Sequence, residues 1–166
     1  SFATNTTASN VMATCWAIRA LYLYENTVDS DSIKNAINWL FSKKEKNGHH
    51  DTGWSLFGEG ESLTYVTCFI ISTFIKIGYD ENNVNIESAT SWLKSKMSTE
   101  GCWKNSENTS YSSLFQTAMA VICLSETNKE KYSLEINKAI NWMIKEISHN
   151  GIESPKYECD LELIEE

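Results

Sequence analysis

The densest run of reactive side-chain types in this 166-residue chain is Gly48-His49-His50-Asp51-Thr52-Gly53-Trp54, with Glu59-Gly60-Glu61 just beyond it. Two imidazoles and a carboxylate are donor types for a divalent ion, but neighbours in one loop seldom reach the same ion in good geometry. No CxxC pair and no Cys/His ladder stands elsewhere to complete a ligand set. Neither a metal nor any other cofactor is therefore expected. Asp51 and Glu61 are the residue types that glycosidases use as acid and base, although nothing in their spacing selects that role. Trp54, and Trp103 further on, carry faces that can either pack a core or stack on a ligand. His49, His50, Asp51, Trp54, Glu61 and Trp103 are thus the candidate ligand contacts, and no residue is singled out as catalytic.

The elements that must position this loop repeat. Trp39-Leu40-Phe41-Ser42-Lys43, followed by Gly48, returns as Trp92-Leu93-Lys94-Ser95-Lys96 with Gly101, and again as Trp142-Met143-Ile144-Lys145-Glu146 with Gly151. Both the Trp and the Gly steps are 53 and 50 residues. Thr14, Thr67 and Thr117 fall in the same register within three apolar segments. A period of this size marks a repeat protein. Ile33, Ala36, Ile37 and Leu40 lie at i, i+3, i+4 and i+7, which gives an amphipathic helix. Its copies run over about 85–97, with Ile86, Ala89, Leu93 and Met97 inward, and about 134–147, with Ile136, Ala139, Ile140, Met143 and Ile147 inward. Ser30, Asn83 and Ser133 precede the leading Ile of each by three residues and suit N-caps. Segments 8–24, 62–77 and the one around Thr117 are apolar nearly all round and are expected to be buried on most faces. The β-branched 65–75 run alone could be a strand, but its copies contain good helix formers, so all three are read as helices. The fold class is therefore all-α: αα-hairpin repeats of about 50 residues, with inner apolar and outer amphipathic helices. Residues 1–151 form the repeat domain, and 152–166 an acidic tail or linker.

Composition narrows the function classes. Net charge is -8 and the sequence pI about 4.9, which argues against a nucleic-acid partner. Arg19 is the only arginine. Lys43, Lys44 and Lys46 form the one basic cluster, expected to be a solvated helix end. Cys15, Cys68 and Cys123 sit in apolar runs and read as small core residues. Unpaired thiols suit a cytoplasmic setting, and no run is long enough to span a bilayer.

Trp92-x3-Lys96-x4-Gly101-Cys102-Trp103 resembles the Trp-x3-Gln-x(2–5)-Gly-x-Trp repeat signature of the terpenoid cyclases, and protein prenyltransferase β subunits share the related α/α toroid. Trp39-x3-Lys43-x4-Gly48 with Gly53-Trp54 resembles it with an insertion. Trp142-x3-Glu146-x4-Gly151 lacks the closing Trp. Lys or Glu replaces the signature Gln throughout. The resemblance implies a partial α/α toroid in which the glycine ends the outer helix and the second Trp packs over the next helix start. It implies no catalytic residue here. Asp29-Ser30-Asp31 lacks the terminal pair of the cyclases' DxDD acid, and no Cys joins His49, His50 and Asp51 in the prenyltransferase zinc set.

The expected function is therefore a non-catalytic binding or sensor module of a larger protein, recognising a protein, a peptide or a small apolar ligand. One alternative is a piece of a terpenoid cyclase or prenyltransferase-type enzyme whose reacting groups lie outside this chain. Another is an (α/α)-type glycan-active enzyme using Asp51 and Glu61.

Overall fold

The computed structural model describes residues 10–45, 53–58, 60–80 and 82–150, which contain six helices and no strand. These are α1 (Val11–Glu25), α2 (Asp31–Glu45), α3 (Thr64–Lys76), α4 (Val84–Ser95), α5 (Leu114–Asn128) and α6 (Ser133–Asn150). The expected acidic tail at 152–166 and the glycines Gly48 and Gly151 lie outside the described residues.

The inner helices α1, α3 and α5 stand side by side, with α2 on α1, α4 on α3 and α6 on α5. Helix α3 is central, and Val66, Thr67, Cys68, Ile70, Ile71, Thr73 and Phe74 are buried around it. Burial overrides the strand preference of its β-branched residues. Its threonine hydroxyls are compatible with a dry site because each has a hydrogen-bond partner: Thr73 Oγ1 bonds back along the helix to the Phe69 carbonyl at 2.7 Å, Thr64 Oγ1 donates to the Lys104 carbonyl at 2.6 Å, and Thr67 Oγ1 accepts from Trp54 N–H at 2.9 Å.

The repeats are joined by the loops above the inner helices. The first free N–H of α1, on Val11, donates to the Leu56 carbonyl at 3.1 Å, and its counterpart on Thr64 donates to the Asn105 carbonyl at 2.9 Å. Helices α1 and α3 thus each have one of their unpaired N-terminal donors satisfied by the loop that leads to the next inner helix.

Four sequence expectations are corrected. Gly101 does not cap α4, which ends on Lys96 in the right-handed region. Instead it turns the chain at φ +99°, where a Cβ would come within 2.7 Å of Lys138 Cγ and 3.0 Å of the Lys138 carbonyl oxygen on α6. Ser133 is the first residue of α6 rather than its cap, whereas Asn83 caps α4 through Asn85 N–H at 3.0 Å and Ser30 accepts from Ile33 N–H at 3.3 Å. Lys44 is not solvated. It is buried, and its ammonium reaches α4 to donate to the Asn85 carbonyl at 2.9 Å and Ser88 Oγ at 2.6 Å. On α6, Ile136 and Ala139 are buried, but Ile140 and Ile147 stay substantially exposed. Ile147 stands in the repeat register of Lys44, which α4 covers. Among the described residues no helix lies against α6 in that way.

Candidate functional site

Trp54 and Trp103 occupy one structural position twice. Each indole is fully buried. The indole N–H donates to the carbonyl of Leu40 at 2.8 Å in one repeat and of Leu93 at 2.7 Å in the other. The backbone N–H of each donates to the hydroxyl of the threonine in the following inner helix, Trp54 to Thr67 at 2.9 Å and Trp103 to Thr117 at 3.0 Å. An indole with no exposed face cannot stack on a ligand, so the ligand role expected for these two residues gives way to packing between outer and inner helices. Their place over the next helix start agrees with the sequence reading.

Glu61 lies apart from that core, in the loop before α3. One carboxylate oxygen accepts from Glu107 N–H at 2.6 Å and the other from the Asn108 side-chain amide at 2.7 Å. It therefore ties the α4–α5 loop to the α2–α3 loop. His49, His50 and Asp51 lie outside the described residues. Among those described, no three His, Cys, Asp or Glu side chains gather closely enough to hold a metal ion.

The lysines that replace glutamine in the repeat signature stack on the tryptophan one helical turn before them. Lys43 Nζ lies 5.4 Å from the Trp39 ring centre and Lys96 Nζ 5.6 Å from that of Trp92. Both are cation–π distances.

The surface that sequence reasoning missed is the solvent face of the inner helices. Helix α1 buries Val11, Cys15 and Ile18 but leaves Trp16 58% and Leu23 83% exposed, and α5 leaves Phe115 and Ile122 each 51% exposed. Trp16, Leu23 and Phe115 fall in repeat-aligned rows: Met12, Tyr65 and Phe115; Trp16, Phe69 and Met119; Leu23, Lys76 and Glu126. Neighbouring rings touch along the rows, Trp16 with Phe69 at 4.9 Å and Tyr65 with Phe115 at 6.3 Å between centres.

Arg19 crosses this face. Its guanidinium lies 4.3 Å from the Phe69 ring centre and 5.4 Å from that of Trp16. Nε donates to Thr73 Oγ1 at 3.0 Å and Nη2 to Ser72 Oγ at 3.2 Å. Ser72 in turn donates to the Glu126 carboxylate, whose other oxygen pairs with Lys76 at 3.1 Å. A polar chain therefore runs across α1, α3 and α5 beneath the aromatic rows. Beside it, Trp16, Arg19, Ala20, Tyr22, Leu23, Lys76 and Ile77 line a groove of about 390 Å³, within the size range of small-molecule sites.

A family model described as the prenyltransferase alpha-alpha toroid domain matches residues 1–154. The chain belongs to that family. No curated protein matches it. The toroid family accounts for the alternation of inner and outer helices and for the recurrence of the tryptophan clamp. Membership fixes the scaffold, whereas chemistry is a property of the site. No helix among the described residues is long and apolar enough to cross a membrane.

Proposed function

We propose that this toroid domain is a binding module whose inner-helix face takes a small apolar ligand. The groove beside Trp16 and Leu23 carries this reading. Its walls are the Trp16 indole, the Leu23 and Ile77 side chains, Ala20 and the Tyr22 ring, and the two cations at its edge, Arg19 and Lys76, are each already engaged by neighbours. Apolar surface left in water at a concave place is the usual mark of a ligand site. Aromatic rings held in rows present a large rigid area to a hydrocarbon chain at small entropic cost.

The test is titration with a long-chain alcohol while following tryptophan fluorescence. Saturable quenching is expected. Leu23→Asp puts a charge at an exposed position in the groove, so it should remove the quenching with the fold intact. Unchanged titration in that variant would sink the reading.

Family membership supports a second reading, in which the same face belongs to a prenyltransferase- or cyclase-type enzyme whose reacting groups lie outside the described residues. Product formation from an isoprenoid substrate by the complete polypeptide would favour that reading over binding alone.

A further inference from the structure

We infer that the two open edges of the helix stack are partners for one another, so that a second copy of this chain docks head to tail on the first. Helices α5 and α6 of one copy pack on α1 and α2 of the next, continuing the way α1 packs on α3 and α3 on α5 within the chain.

The leading edge is identified by comparing equivalent positions. Ala13, Ala17 and Ala20 on α1 are exposed. Val66, Ile70 and Thr73, 53 residues on, are fully buried, and Gln116, Ala120 and Cys123, 50 further, are buried as well. Among the described residues α5 has no inner helix after it, and α1 has none before it. The preceding helix is therefore what covers this row, and on α1 the row lies open.

The trailing edge shows the converse. Ile37 on α2 is 2% and Thr90 on α4 0% exposed, whereas their equivalent Ile140 on α6 is 37% exposed. Among the described residues α2 has no outer helix before it, and it still buries Ile37, so the hairpin that follows is what covers this row. In the inner layer Ile18 and Ile71 are fully buried, but their equivalent Val121 on α5 is only half-buried, and Ile122 beside it is 51% exposed.

Residue choice at the trailing edge argues that it is covered in the assembly. The place of Ile147 is held by Lys44 on α2 and by Met97 on α4. Lys44 reaches the Asn85 carbonyl and Ser88 Oγ of the following helix, and Met97 packs on the core. The place of Ile144 is held on α4 by Lys94, which pairs with Glu135 at 2.7 Å. Lysines thus stand where a neighbour is present, and isoleucines where water would be the neighbour. A helical stack that ended in water would carry polar residues on its outer face. Contiguous apolar surface of this kind marks an interaction site.

The occupant is a second copy because this trailing face already has a partner type in the chain. Twice it meets a leading edge, and the leading edge of α1 and α2 is open and apolar along its alanine row. By equivalence with Asn85 and Ser88, Ile147 comes to lie on Ser32 and Asn35 of the second copy. Both of these are exposed. A head-to-tail contact joins unlike surfaces, so it either closes into a ring or grows without limit. The helices belong to a toroid, a closed form, and the expected product is a discrete small oligomer.

The experiment is sedimentation velocity on the full chain between about 1 and 100 μM. Reversible association to a discrete oligomer is expected. Ile144→Glu on the trailing edge and Ala17→Glu on the leading edge each put a charge at an exposed position, and circular dichroism should show an unchanged fold. Each should weaken association at least about tenfold. Ile147→Glu and Ala13→Glu replace them if either fails to fold. Mixing the two variants leaves one intact edge on each copy, so a heterodimer should form that neither variant forms alone. A chain that stays monomeric throughout would overturn the inference, in favour of cover by residues 152–166 or by a further hairpin. Association that Ala17→Glu leaves unchanged would overturn it too, because α6 would then be pairing with itself, and so would a mixture that restores nothing.

Discussion

The Trp103 indole N–H and the Leu93 carbonyl lie 2.7 Å apart, at a place where the outer helix of one repeat is about to end. The bond joins α4 to the loop that starts α5, and Trp54 makes the same bond to Leu40 at 2.8 Å. Trp103→Phe and Trp54→Phe each remove a buried hydrogen bond and part of a packed ring. Each should cost about 2–4 kcal/mol in urea unfolding. Because the two sites are repeat equivalents, their losses should agree within about 1 kcal/mol. A loss below the noise at either site would contradict the packing role.

Lys44 connects two outer helices without a carboxylate. Its ammonium sits on the Asn85 carbonyl and Ser88 Oγ, with the Trp54 ring 5.0 Å away. Burial pulls its pKa down to about 8. In the unfolded chain the value is about 10.4. Between those values the unfolded state holds a proton that the folded state has released, so the Lys44 contribution to stability rises with pH from about 8 to about 10.4. Unfolding of wild type and Lys44→Met across that range isolates the effect, since other groups cancel in the difference. The wild type should gain relative to the variant as pH rises, and a flat difference would mean that the ammonium is not desolvated.

Gly101 and Gly78 separate backbone strain from crowding. Both have positive φ, +99° and +87°. A Cβ at Gly78 meets nothing within 4 Å, whereas one at Gly101 meets the Lys138 backbone. Gly78→Ala should cost only the left-handed strain of about 1 kcal/mol. Gly101→Ala adds displacement of α6 from the α4–α5 loop and should cost about 2–4 kcal/mol. Equal thermal shifts for the two variants would show that the inter-helix approach is not tight.

The repeat was legible because a packing duty imposed once per turn of the scaffold leaves the same residue type at the same step. Trp39, Trp92 and Trp142 mark the outer helices, and Thr14, Thr67 and Thr117 the inner ones. The candidate site was less legible. Trp54 and Trp103 announce themselves by type, yet the ring faces that suggest a stacked ligand are fully buried and the indole N–H is spent on a helix carbonyl. Trp16 and Leu23 looked like core because α1 is apolar on nearly every side. Only the neighbours of α1 decide which side is covered, and periodicity within one helix does not contain them. Aligning the rows across repeats would have helped, since Arg19, Ser72 and Ile122 share one row and are too unlike to share one packing role. Lys44 was hidden for a similar reason: its partners, Asn85 and Ser88, are a full repeat away.

Thiol chemistry provides a reading of which parts open. Cys15, Cys68, Cys102 and Cys123 are all buried. Burial pushes the Cys15 thiol up to about 12, and the Cys68 thiol well above its ordinary range, with Cys123 beside it acting in the same direction. A thiol in that state has almost no thiolate to react, so alkylation requires an opening that brings it to water. Cys15, Cys68 and Cys123 lie on three inner helices that pack on one another, and exposing any of them means separating that layer. Cys102 lies in the loop after α4, with hydrogen bonds to Ser98 and Ser112 at 3.0 Å each, and a local loop opening is enough to free it. Among these four described thiols, mass-resolved alkylation in native buffer should therefore modify Cys102 first. The three inner-helix thiols should follow only at the rate of global unfolding and together rather than in sequence. Early modification of Cys15 alone would instead mean that α1 detaches from α3 on its own, against the Arg19 bonds to Ser72 and Thr73 that hold it there.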